Sequence, residues 1–182
     1  MKISRKTALH TLTGTLVSMP FLGFSRSKKE LQGFKQEFSV AWKRSEEYTL
    51  TVFNQMPEEH LDYRYTPESF SFRNQFVHCI VFTSMQLAGR LEIPNPFENK
   101  KDWTKITKAQ VADEIKNFYA WVEKVAAEVP PEKLAKQENF AGGKIQAWQF
   151  FYAMENHLIH HRGQAICYLR LKGVIPEGYV GW

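Results

Sequence analysis

Four stretches of this 182-residue chain repeat apolar side chains at the spacing of an α-helix, and each is closed by proline or glycine. Side chains at i, i+3, i+4 and i+7 line one side of a helix, so every such stretch must bury that side against a neighbour. The first, about 29–55, carries Leu31, Phe34, Phe38, Ala41 or Trp42, Tyr48 or Thr49, and Val52 or Phe53, and Met56-Pro57 ends it. Ser71 can cap the second, which runs to about Leu91 and is closed by Pro94 and Pro96. Thr107-Lys-Ala-Gln110 has the form of a capping box and opens the third, whose stripe is Val111, Ile115, Phe118, Val122 and Val125. Pro130-Pro131 stops it. The fourth, about Ile145 to Lys172, carries Trp148, Phe151, Met154, Leu158, Ala165, Tyr168 and Leu169, with Gly173 where a left-handed cap belongs and Pro176 just beyond. The connectors are irregular, with a turn expected at Gly142-Gly143, and no run alternates convincingly as a strand. The expected fold is all-α, a four-helix bundle.

The length suits one domain with a sizeable core, and 14% aromatic residues indicate a core filled by rings. A formal charge of +5 invites a nucleic-acid reading, but Lys2, Arg5 and Lys6 supply three of those charges. Beyond them the signs are mixed, with no basic stripe to track phosphates, so no nucleic-acid partner is expected. Cys79 and Cys167 follow no framework spacing and read as two buried free thiols.

The first 25 residues contain no Asp or Glu. A short positive segment, Met1 to Lys6, precedes the mildly apolar Thr7 to Phe24. Ser4-Arg5-Lys6-Thr7-Ala8-Leu9 is similar to a twin-arginine export signal whose second arginine is lysine, and Gly23-Phe24-Ser25 offers a cut after Ser25. Residues 1–25 are therefore expected to direct export, to the periplasm, leaving a domain of residues 26–182. An uncleaved, cytoplasmic chain is the alternative. No later stretch is apolar over the length a membrane span needs.

The chemistry concentrates in His157-Leu-Ile-His160-His161-Arg-Gly-Gln164. Residues four apart lie about 40° apart around a helix, so His157 and His161 can address one point. Gln164 follows on nearly the same face, with Met154 and Tyr168, which turns that face inward. Buried imidazoles need hydrogen bonds or a metal, because each neutral ring carries one donor and one acceptor. His78 sits alone in the apolar run Phe76-Val-His-Cys-Ile-Val-Phe82 and needs a partner as well. One ion would satisfy all three rings. The zincin pattern H-E-x-x-H does not apply, since Leu158 stands where its glutamate belongs. Spacing alone leaves His157 with His160 as an alternative pair, and a structural, hydrogen-bonded role for every one of these rings.

A histidine amid the second helix, then H-x-x-x-H-R-G-Q, then Tyr168-Leu-Arg-Leu-Lys-Gly-Val-Ile-Pro176, resembles the DinB/YfiT-like superfamily over about residues 30–182. The resemblance implies an up-down-down-up four-helix bundle and a divalent metal (zinc, nickel or iron(II)) on His78, His157 and His161. It favours His161 over His160 because His161 directly precedes Arg162-Gly163-Gln164. Arg162 is expected to pair with a carboxylate on another helix, Gly163 to admit a close neighbouring helix, and Gln164 to orient a water or a ligand's second ring nitrogen. Three neutral ligands with an open position resemble catalytic zinc sites. The functions implied are a metal-dependent hydrolase or a thiol-dependent S-transferase acting on a small molecule. A non-catalytic, metal-stabilised bundle that binds a small ligand or partner is the alternative, and self-association as a homodimer is left open. No acid is identified as general base: nothing places Glu59, Asp62 or Glu155 against the ion.

Overall fold

The computed structural model describes residues 22–98 and 101–180; almost all of the expected export segment lies outside them. Four long helices carry the fold: α1 Leu22–Gln55, α2 Phe72–Leu91, α3 Lys108–Glu128 and, after the single turn α4 Pro131–Leu134, α5 Ala147–Leu171. The expected caps form. Ser71 accepts the backbone N–H of Asn74 at the start of α2, and Thr107 and Gln110 cap each other reciprocally at the start of α3. Gly173 takes φ +74 just past α5.

Cross-helix contacts fix the direction of each helix. Along α1, Phe34 meets Phe151, Ser45 meets Arg162 and Gln55 meets Ile175, so α1 and α5 run the same way. Lys108 bonds the carbonyls at the end of α1, and Lys35 near its start bonds Ala127 at the end of α3, which makes α3 antiparallel to α1. Gln75 meets Gln164 while Arg90 lies over Phe150, so α2 runs against α5. The order is up-down-down-up. Two parallel neighbours, α2 and α3, need a long return between them, and residues 92–107 supply it. Arg73 ties that return down: it pairs with Asp62 and donates to the carbonyls of Trp103 and Ile106.

The stripes read in the sequence are the core. Phe38, Trp42, Phe118, Tyr119, Phe151 and Tyr168 are fully enclosed, and the Trp42 indole N–H donates to the Tyr119 carbonyl at 2.9 Å. Two expectations are corrected. The segment before α5 forms a hairpin, β1 Gln137–Phe140 with β2 Gly143–Gln146, and not an irregular connector. Its turn is Ala141-Gly142, one residue earlier than expected, with φ +50 and +82 as a two-residue hairpin turn of this kind requires. Four-residue strands as polar as Gln-Glu-Asn-Phe carry no alternation to read; Phe140 packing on Phe150 holds them. The second correction concerns the thiols: both are free, but only Cys79 is buried and Cys167 is exposed. Among the described residues no helix is long and apolar enough to cross a membrane.

The capping box gives a direct test of the α3 boundary. Thr107→Ala should cost about 1 kcal/mol of unfolding free energy in urea titrations, with helix content by circular dichroism unchanged.

Candidate metal centre

The antiparallel packing of α2 on α5 brings His78 opposite His157 and His161. One ligand-capable atom from each of the three lies within 4.8 Å of the others. Nε2 of His157 faces Nε2 of His161 at 3.1 Å. An ion of zinc's size, about 2.0–2.1 Å from each nitrogen, holds two tetrahedral imidazole ligands ~3.3 Å apart. His157 and His161 therefore stand at almost the separation such an ion needs, with His78 as the third ring within reach. His160 does not join them; it is exposed and its Nε2 meets the Gln164 amide at 2.7 Å.

A glutamine that the sequence reading did not single out holds the arrangement. Gln75 is 1% exposed, and its Oε1 lies 2.5 Å from His161 Nδ1. Its Nε2 donates to Gln164 Oε1 at 3.1 Å and reaches the Tyr168 hydroxyl at 3.4 Å. With the amide oriented that way, Oε1 can only accept, so His161 carries its proton on Nδ1 and turns a lone pair on Nε2 towards the other rings. Gln75 was legible in principle: it stands three residues before His78, on the same face of the helix. Gln164 thus acts one step further out than expected, on Gln75. His157 has no such support, since its Nδ1 is buried without a hydrogen-bond partner. Ring contacts hold it instead, with Phe82 at 4.9 Å and His78 at 5.1 Å between centroids. Phe70 lies nearly parallel to the His161 ring at 6.1 Å, and its carbonyl accepts from Tyr168 at 2.7 Å.

All three rings are kept neutral. Burial pushes His157 and His161 down to about 4, and the neighbouring imidazoles add to the shift. His78 is lowered by burial alone. Neutral rings at ordinary pH present lone pairs without competition from protons, the state a metal requires. His78 also lines a cleft of about 440 Å³, whose walls include Phe70, Phe97 and Trp103. The larger cleft of about 840 Å³ lies between α1 and the C-terminal tail and includes none of the histidines.

The sequence profile of the DinB family matches residues 27–180. This chain belongs to the DinB family. No curated protein sequence matches it. Its fold is similar to that of a DinB-like protein from Bacillus subtilis (TM-score 0.63, 16% identity, covering 80% of this chain and 98% of that one). A DinB-like protein from Bacillus cereus is alike to the same degree (0.62, 21%, 82% and 97%). YfiT from Bacillus subtilis, described as a probable metal-dependent hydrolase with an unusual four-helix bundle topology, matches at 0.54 with 13% identity, over 88% and 95%.

Two of the roles expected within this DinB chain's H-R-G-Q segment are corrected. Arg162 is buried, but it donates to the Ser45 carbonyl and to the hydroxyls of Ser45 and Thr49, and stacks on Tyr48, with no carboxylate among the described residues within ion-pair distance. Hydroxyls and a carbonyl on α1 receive its Nη1, and the buried Glu155 carboxyl lies near it without forming an ion pair. Gly163 is exposed, and nothing lies within 4 Å of where a Cβ would stand, so it admits no close neighbour. Of the acids weighed, Asp62 is paired with Arg73, and Glu155 is buried beside Arg162 on the α1 side of α5.

The depressed rings set a direction for stability against pH. The unfolded chain takes up protons near 6.5, whereas folded His157 and His161 resist until about 4. Lowering the pH through that window therefore stabilises the unfolded state. The metal-free protein should show a urea midpoint that falls between those two values, and a His157→Gln, His161→Gln double variant should lose most of that fall.

Proposed function

We propose that this DinB protein holds one divalent ion on His78, His157 and His161 and hydrolyses a small-molecule substrate there. The observation that carries the reading is three neutral imidazoles gathered from two helices, one of them bordering a cleft. The YfiT neighbour's description as a probable metal-dependent hydrolase supports the reaction class. Zinc, nickel and iron(II) all suit imidazole nitrogen. Bound in such a site, the ion supplies Lewis acidity, polarising a carbonyl or phosphoryl oxygen and making water a nucleophile at neutral pH.

The protein's own groups supply the rest. Gln75 keeps the proton of His161 on Nδ1, so the ring can act only through Nε2. Phe70 and Phe82 pack against the flanks of the rings and help to fix their orientation. His78 is the ring shared with the cleft, so substrate reaches the cluster past His78, between Phe70 and Trp103. Asn74 and Glu98 are the polar groups on that path beside Lys101, whose ammonium is paired with Glu114. Export by residues 1–25 is part of the same proposal, and it disfavours the thiol-transferase reading because low-molecular-weight thiol cofactors are mainly cytosolic.

Elemental mass spectrometry on the full-length chain, purified without a histidine tag, tests the ligand set. Near one equivalent of divalent ion per chain is expected, and His161→Ala should abolish it. Gln75→Leu should retain the fold yet weaken metal affinity about 10- to 100-fold, the range for losing a partner that orients a ligand. No binding of zinc, nickel or iron(II) after reconstitution would leave the histidines as packing residues.

A further inference from the structure

The cleft at His78 does not end there. It shares Val81, Phe97 and Glu98 with a second hollow of about 460 Å³, which continues along α2 past Met85 to Gly89 and Ile93. One wall is a stripe of α2 at helical spacing: Val77, Val81, Met85 and Gly89, with Phe70 at its head. The other is the return segment carrying Phe97 and Trp103. Apolar side chains on this path stay open to solvent, with Phe70 43%, Val81 39% and Met85 51% exposed. A contiguous, exposed apolar strip of this kind marks a binding surface.

Charge narrows what can lie in it. Lys101 is engaged by Glu114 and lies over the Trp103 ring, while Glu98 is an exposed acid, so the described lining offers an anion no free cation. The groove is also long. The eleven helical rises from His78 to Gly89 span about 16 Å, the reach of roughly a dozen methylenes. His78 joins its Phe70 side to the histidine cluster, which gives a ligand a place for its reactive bond, and the hollow past Met85 gives its tail a direction.

We infer that the groove takes a neutral, linear apolar chain, and that the substrate is an acyl ester or amide whose scissile bond lies at the histidines and whose chain runs along α2. The inference rests on the hydrolase reading for its chemistry: water's hydroxyl joins the acyl carbon, the bond to oxygen or nitrogen breaks, and the alcohol or amine leaves with the proton. The groove itself can be tested without that chemistry.

Butanol, octanol and dodecanol bind through their chains and need no metal. Calorimetry with the full-length protein should show affinity rising roughly fourfold per methylene along this series. Met85→Trp fills the far hollow, and should weaken dodecanol about tenfold or more while leaving butanol within about twofold. Val40→Trp, on the outer face of α1, should leave the ranking intact. Metal content is measured on the same samples. A flat ranking in a protein that holds its ion overturns the groove alone, whereas an intact ranking in a protein that holds none overturns the hydrolase reading alone. A dimer seen by sedimentation and dissociated by Met85→Trp would also overturn the inference, because a second copy would then cover the groove.

Discussion

Two imidazole nitrogens facing each other at 3.1 Å inside a helical bundle cannot both carry protons. That constraint organises the α2–α5 half of this protein. If both rings were charged they would repel at contact in a poorly solvated place, so burial and mutual repulsion hold His157 and His161 neutral. Neutrality alone still leaves each ring a choice of tautomer. Gln75 makes the choice for His161, and Gln164 and Tyr168 fix Gln75 in turn. The same tyrosine holds the Phe70 carbonyl and so places the ring that covers His161. The chain of contacts runs from the helix ends to one lone pair. His157, with its unpartnered Nδ1, is the ring whose orientation rests on packing alone.

The other side of α5 solves a different polar problem. Arg162 is adjacent to His161 yet points towards α1, where Ser45, Thr49 and the Ser45 carbonyl receive it. Ser45 and Thr49 also meet the Tyr119 hydroxyl, at 3.1 and 2.8 Å. A buried cation normally costs several kcal/mol unless hydrogen-bonded, and here the Ser45 and Thr49 hydroxyls and the Ser45 carbonyl, all on α1, accept from its Nη1. The H-R-G-Q segment thus serves two faces. The histidine addresses the candidate site, while the arginine locks α5 to α1 in the parallel arrangement that the topology demands.

Most of the architecture was legible because it depends on local chemistry. Ser71, Thr107 and Gln110 announce helix starts through short side-chain bonds that need no tertiary context. The stripes of Phe38, Trp42, Ile115 and Phe118 announce the core through period alone. What stayed hidden depends on partners distant in sequence. The Gln137–Gln146 hairpin is too short and polar to show a pattern, and it persists because Phe150 and Arg90 are there to meet it. Arg162's hydroxyl partners lie more than a hundred residues away. The histidine trio was visible from spacing and family resemblance together; spacing could not separate His160 from His161, and the fold separates them by turning His160 to solvent. Gln75 was missed because it follows Arg73 and Asn74 in a polar triplet at the helix start, where nothing in the sequence marks which of the three turns inward.

The central claim concerns coordination, so X-ray absorption at the metal edge of the zinc-loaded, full-length chain addresses it most directly. The account predicts a light-atom shell at about 2.0–2.1 Å whose outer-shell scattering fits three imidazoles, with the remaining position filled by an exchangeable light atom. A sulfur scatterer, or a shell with fewer than three imidazoles, would contradict it.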